Sequence, residues 1–404
     1  MRAASVAPHP WAEQPVGFSR TDGRSEVVEE LCAALFSSLR RKDQRERAKQ
    51  YVYGLLVTEG RKSMRNIAAA LGEPATVQGL HHFIANSTWD WQPVRAALAA
   101  HVQAIAPPRA WVVQPMSIPK TGTHSVGVDE IFDPLLGQTF RGQRAFGVWS
   151  VSPELAVPVN WRLFLPARRG PDTIEDGDTA VERPRGGEEE TLQDCAVAAA
   201  FSTPCSGQSR HRPVVLDIPG GATRATMTRF DVASVPVTAR TIASCRLMVA
   251  DRTAPGFGQG PLPAAEILES VRDLGRPVHR PDPGEPRRIR SSLAAAVPVS
   301  LPNMAGRGRL LLLGEWRDAK GPPELWLTNM ARAPVAGLLE LVRLADEVGR
   351  ETAGAGEEVG LRDFVGRSFR GWHHHVTLAS VAHAVTVLNR RAGHPPYAGL
   401  RPSS

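Results

Sequence analysis

At Pro107–Pro108 the apolar pattern of this chain changes period. Before that point apolar residues recur at helical spacing. Val28, Leu31, Leu35 and Leu39 share a face of a helix predicted over residues 26–39, and Tyr51, Leu55 and Leu56 share a face of a second over 47–60. After it come short runs rich in valine, tryptophan and phenylalanine, AWVVQPMSI, FGVWSVS and VPVNWRLFLP, bounded by glycine and proline, which read as strands. A helix over 191–201 leads to a buried strand over 213–217 that ends in Asp217. A helix is then predicted over 223–230 and strands over 245–250, 309–313 and 324–328, with helices over 335–348 and 378–389. Alternation of this kind predicts an α/β fold, a mixed sheet with helices packed on its faces. Such folds place their chemistry beyond the carboxyl ends of the strands, which marks Asp217.

The expected organisation is a disordered lead (1–25), a helical region (26–108) and the first part of the sheet domain (109–251). An insertion (252–330), core helices (331–389) and a proline- and arginine-containing tail (390–404) follow. A polar loop, expected to be mobile, fills 168–190. Within the helical region Ser63 is a suitable N-cap for MRNIAAALG, Gly72 a suitable stop, and Thr76 a cap for VQGLHHFIANS. Two short helices around a tight turn follow the helix-turn-helix plan, whose second helix enters a major groove. An ordinary helical hairpin fits the same pattern; the flanking Arg61, Lys62 and Arg65 favour DNA.

The formal charge of +7 over 404 residues suits a polyanion, since neutralising phosphates releases counterions; a coding bias toward arginine gives the same balance. Cys32, Cys195, Cys205 and Cys245 form no CxxC pair, which argues for reduced thiols and against a zinc ribbon. No run approaches the ~20 apolar residues of a membrane span, and MRAASVAPHPWAEQPVGFSR lacks the apolar centre of a signal peptide. A cytoplasmic protein with no membrane partner is expected.

Six stretches, in order, resemble the DDE-superfamily insertion-sequence transposases, whose core is RNase H-like: RERAKQYVYGLLVTEGRKSMRNIAAALG, LHHFIANSTWDWQPVR, IPKTGTHSVGV, PVNWRLFLP, VVLDIPGG and GLRDFVGRSFRGWHHHVTLASVAHA. Together they span about Arg45 to Leu388. The resemblance implies an RNase H-like sheet, double-stranded DNA as partner, and a dimer or larger assembly. It also implies three carboxylates holding two divalent metals, Mg²⁺ or Mn²⁺, at the DNA strand.

This chain departs from that carboxylate set. Where the family has its first acids it has Gln114 and Pro115, a neutral weak ligand and no ligand at all. The second acid is Asp217. Counting back from Gly360–Leu361, the third acid falls on Gly349 and a DNA-binding lysine on Gly356; a shifted register nominates Glu347 or Glu351. Gly349, Gly354 and Gly356 each lower helix propensity by about 1 kcal/mol relative to alanine, so that helix is expected to be weakened. One carboxylate cannot assemble a two-metal site, so no cofactor is expected, and the reading is a DNA-binding protein that has lost strand transfer. The alternative is an active transposase with an unorthodox acid set, Asp129, Glu130, Asp133 and Glu351.

Basic positions persist better than acids: Arg61, Lys62, Lys120, Arg162, Arg367 and Arg370 match positions the family keeps basic or polar, and with Arg65 and His373 form the candidate DNA contacts. Consecutive histidines on a helix point about 100° apart and do not converge on one ion, so His373–His375 read as a DNA-facing or core helix. Trp89 and Trp91 read as core anchors or as bases' stacking partners.

Overall fold

The computed structural model describes residues 23–72, 76–122, 124–133, 137–166, 190–205, 209, 211–281, 289–302, 309–318 and 320–393. Most of the expected lead, polar loop and tail fall outside these residues.

The N-terminal region is helical throughout: α1 (Gly23–Leu35), α2 (Lys42–Val57), α3 (Met64–Leu71), α4 (Thr76–Ala85) and α5 (Trp91–Ile105). α3 begins where the Ser63 hydroxyl accepts the Asn66 N–H and ends at Gly72, whose φ of 86° only glycine adopts without strain. The Thr76 side chain lies outside the described set. The sequence pattern did not predict α5; its cap is Asp90, accepting from Gln92 N–H, and Pro93 sits in its first turn, where a missing donor costs nothing.

The sheet then forms from β1 (Ala110–Pro119), β2 (Val128–Asp133), β3 (Gln138–Val151) and β4 (Ala156–Leu163). α6 (Leu192–Phe201), β5 (Val214–Leu216), α7 (Arg224–Val232) and β6 (Val237–Arg240) complete its first part. β4, β3 and β1 are antiparallel neighbours, and β1, β5 and β6 are parallel ones. β2 pairs with the other end of β3. Three antiparallel strands continued by two parallel ones, with helices against the sheet, is the expected RNase H-like arrangement.

Past β6 come β7 (Arg246–Val249), β8 (Leu262–Pro263), α8 (Ala264–Glu269), β9 (Arg276–Pro281), β10 (Ile289–Ser300), β11 (Leu310–Trp316) and β12 (Glu324–Thr328). β12 pairs with β6, and β11 and β10 follow, so most of the segment expected as an insertion extends the core sheet. The chain closes with α9 (Val335–Glu351), a π-helical turn (Thr352–Gly356) and α10 (Phe369–Arg391).

α9 runs unbroken through Gly349, contrary to the expected weakening. Tertiary packing outweighs propensity here: Leu338, Leu339, Val342, Ala345 and Val348 bury the inner face of α9, while Gly349 lies on its exposed side. α10 begins nine residues earlier than its apolar pattern suggests. It packs against β4 and against α1, α2, α4 and α5, and is buried on all sides from Gly371 to Val385. No described helix is long and apolar enough to cross a membrane. None of the four cysteines is in a disulfide.

Candidate functional site

β1 and β5 run parallel and in register from Trp111 to Val113, and the Asp217 N–H donates to Val113 O at 2.9 Å. Asp217 therefore leaves the end of β5 beside Gln114. β5 ends there, so the N–H that Pro115 lacks has no strand to meet on that edge, and proline is tolerated in the middle of a sheet. α9 packs against β1 and β5, over the point where Gln114 emerges. Gln114, Asp217 and Gly349, remote in sequence, thus line one cleft of about 500 Å³. Asp346, one turn before Gly349, lines it as well.

Both Asp217 oxygens are engaged. Oδ1 accepts from Arg240 Nε, and Oδ2 accepts from Gln114 Nε2 at 2.8 Å; the same amide also donates to Ala345 O on α9 at 2.7 Å. Arg240 lies against the Trp326 ring, 4.6 Å from its centroid, which fixes the guanidinium in place. Asp346 is paired with Arg317 at 2.9 Å. A divalent ion at Asp217 would have to displace a guanidinium and an amide donor, and the next carboxylate is already neutralised. Mg²⁺ needs several free hard oxygens. The residues present do not fit the metal pair, and no group of three or more His, Cys, Asp or Glu among the described residues could hold one.

The unorthodox acids do not supply the deficit. Asp129 and Glu130 are exposed on β2, the outer partner of β3, and the Asp133 side chain lies outside the described set. Glu351 faces α10, with Oε2 3.7 Å from His383 Nε2 and 4.0 Å from Arg390; burial raises its pKa, and Arg390 opposes the rise. Glu347 pairs with Arg350. Neither glutamate is among the residues lining the cleft.

The basic candidates divide into two groups. Arg61, Lys120 and Arg367 come together around the loop before α10: Lys120 Nζ donates to Phe364 O, and the Arg367 carbonyl accepts from Val126 N–H at 3.0 Å. Burial pushes the Lys120 pKa down to about 8; Arg61 adds to the shift and Asp363 opposes it. Arg61, Arg65 and Arg367 are exposed, and Arg370 is half-buried. Two others, Lys62 and Arg162, are engaged by protein partners. Lys62 is 4% exposed, its Nζ donating to Thr58 O and its N–H to Asp363 at 2.7 Å. Arg162 pairs with Glu190 at 2.8 Å.

His373, expected as a DNA contact, is 4% exposed, stacked on Trp91 at 4.6 Å and bonded through Nδ1 to Arg95 at 2.9 Å. It is a core residue. Trp89 is buried and stacks on His374 at 3.9 Å, and Trp91 is half-buried with His373 stacked on it, so both tryptophans anchor the triple histidine.

The sequence reading missed Arg240, Arg317 and Asp346, and also Arg280, Arg290 and Arg350, which line the same cleft. No local pattern marks them: each reaches the cleft only through strands or helices that the sheet brings alongside.

With the fold and site in view, comparison places the chain. It matches the family described as DDE superfamily endonuclease over residues 34–242, just over half its length, and it belongs to that family. Members generally use divalent metals, and membership implies DNA as the substrate class. Comparison with curated proteins finds no match.

Proposed function

We propose that this chain binds double-stranded DNA without cutting it. It is then a DDE-family scaffold that has lost its metal chemistry and serves as a remnant or a domesticated DNA-binding regulator. The observation that carries the reading is the engagement of both Asp217 oxygens by Arg240 and Gln114, with glycine at the third acid position. Arg61, Lys120 and Arg367 form the proposed phosphate-contacting end, and Arg65 extends it along α3. The outer face of α4, Gln78, His81 and His82, is polar and exposed, as a groove-reading helix requires. Lys62 and His373 are left out of this contact set because they are buried, and Arg162 because it is paired with Glu190. A dimer on paired DNA sites follows from the resemblance, and light scattering with and without duplex tests it.

The decisive experiment scores binding and cleavage in the same tubes, on upstream, terminal-repeat and random duplexes. Salt-dependent retention with no nicking in Mg²⁺ or Mn²⁺ is the expected outcome. Arg61→Gln/Arg367→Gln should weaken binding evenly across sequences and lower the salt slope by about 2. Metal-dependent nicking that Asp217→Ala abolishes would overturn the reading. So would failure to bind at ~50 mM salt, where phosphate contacts are least screened.

A further inference from the structure

α4 carries a glycine for which its own backbone gives no reason. Gly79 stands inside the helix with no positive φ, and glycine there is less favourable than alanine. The reason lies in a neighbour. A Cβ on Gly79 would lie 3.2 Å from Cζ, 3.3 Å from Nη2 and 3.4 Å from Nη1 of Arg47. Three nearly equal distances mean that the Arg47 guanidinium, reaching over from α2, lies face-on across the α4 backbone. It occupies space that any other side chain at position 79 would contest.

Gly79 also marks a boundary on α4. Leu80, Phe83 and Ile84 are buried to one side of it, and Gln78, His81 and His82 are exposed to the other. Arg47 is half-buried, so its guanidinium borders that polar face. Nη1 donates to Gln50 Oε1 at 3.0 Å, and among the described residues no carboxylate is in salt-bridge contact with Arg47. The N–H bonds of a guanidinium lie in its plane. Face-on packing against Gly79 therefore directs the remaining donors along the helix surface, not into the helix.

We infer that Arg47 is a phosphate contact of the groove-reading helix. With α4 in a major groove, its guanidinium takes phosphoryl oxygens of the strand at the groove's edge. The guanidinium fork matches two such oxygens at once, and phosphate contacts set a protein's register on the duplex without reading its sequence. Gly79 is then a positioning residue, which keeps the guanidinium at the rim of the exposed face. The inference rests on the DNA-binding reading above and adds a contact on α2 to Arg61, Arg65, Lys120 and Arg367.

The test uses the full chain and measures affinity against salt on the upstream, terminal-repeat and random duplexes, with melting temperature beside it. Arg47→Gln should melt close to the wild type and lower the salt slope by about 1. It should weaken all three duplexes alike, by roughly tenfold at ~0.1 M salt. Arg47→Lys keeps the charge and should keep the slope. Gly79→Met introduces a good helix former and should melt at or above the wild type, yet it displaces the guanidinium and should lose the same slope. Added to Arg47→Gln it should cause no further loss, since both act through one contact. A further loss would set Gly79 against the DNA itself and overturn its positioning role.

An unchanged slope in Arg47→Gln, with wild-type duplex binding present, overturns the contact while the DNA-binding reading stands; Arg47 is then a tie between α2 and α4. A loss confined to one of the duplexes overturns it too, because a base edge and not a phosphate is then touched. Should Arg47→Gln fail to fold, a wild-type slope in Gly79→Met overturns the contact and a slope lowered by about 1 supports it. Absence of wild-type binding at ~50 mM salt removes the contact and the DNA-binding reading together.

Discussion

Arg95 is 1% exposed and has no carboxylate in salt-bridge contact among the described residues, yet the fold keeps it there. Its guanidinium donates to Thr377 Oγ1 at 2.8 Å, Asn160 Oδ1 at 3.1 Å, Trp161 O at 2.8 Å and His373 Nδ1 at 2.9 Å. Burial drives its pKa down to about 9, and Asp90 opposes the fall. One side chain thus ties α5 to β4 and α10, and it fixes His373 as the tautomer with hydrogen on Nε2. Arg95→Met keeps length and apolar bulk but strands four acceptors. Each buried polar group left unpaired costs about 1–3 kcal/mol, so urea unfolding should show a loss of at least about 3 kcal/mol. A loss under about 1 kcal/mol would mean that water or neighbours replace the guanidinium. Gln114 poses the opposite test, because its amide is the donor that quiets Asp217. Gln114→Asp sets two carboxylates side by side, and one must then resist ionisation. The variant should be less stable at neutral pH and regain stability in Mg²⁺ or Mn²⁺, whereas the wild type should melt at the same temperature with metal or EDTA. A metal-dependent wild-type melting temperature would contradict the account of Asp217.

On the scale of elements, α10 sets the pH response. His375 donates from Nε2 to Gly360 O at 2.9 Å and accepts the Tyr51 hydroxyl on Nδ1 at 2.8 Å. Burial pushes its pKa down to about 4; the Gly360 carbonyl and Asp363 oppose this, and Lys120 adds to it. His383 is fully buried and burial takes its pKa to about 3, with Arg390 adding to the shift and Glu351 opposing it. Above the ordinary value of 6.5 neither the folded nor the unfolded chain holds these protons, and stability is complete. Below 6.5 the unfolded chain takes them up first, so stability falls as the pH drops toward 4, by up to about 1.4 kcal/mol per pH unit for each histidine. Urea midpoints at pH 7.5, 6 and 5 should decline in that order, and His383→Leu should flatten the decline; equal midpoints would contradict neutral burial. The same helix shows what the sequence made legible. α3 and β12 were readable to within a residue because Ser63, Gly72 and the flanking turns are local signals. The start of α10 was not, because Trp372 and three histidines look amphipathic until α2, α4 and α5 close over them. β10, with its alanines and serines, carries no alternating apolar signal, and β6 is only four residues long. Within the site, Asp217 was marked by the strand that it ends, and Gln114 and Gly349 were found through the family resemblance. The arginines around them depend on strand partners and had no such guide.

For the whole molecule the question is what holds the extended sheet, β9 to β12, against α9 and so gives the cleft its wall. The fastening is a charge network around Glu315 on β11, which is 1% exposed. Its Oε1 accepts from Ser292 on β10 at 2.6 Å and lies 3.4 Å from Arg343 on α9; Arg317 approaches Oε2 at 3.8 Å. Arg317 in turn bridges Glu324 on β12 at 3.0 Å and Asp346 on α9 at 2.9 Å. Asp346, which lines the cleft, is thus committed to joining two parts of the molecule. A buried charge left without its partner is more damaging than a pair replaced together. Glu315→Gln keeps the Ser292 bond but removes the counter-charge beside Arg343, while Arg317 keeps Glu324 and Asp346, and should cost about 3 kcal/mol. Because the network lies between the extension and α9, the loss should be uneven. Amide exchange should accelerate across 289–300 and 310–316 while α2 and α10 keep their protection. Glu315→Gln/Arg343→Met, which removes the charges as a pair, should recover part of the stability. If Glu315→Gln unfolds as the wild type does and exchanges evenly along the chain, apolar packing alone docks the extension and the network is incidental to the cleft.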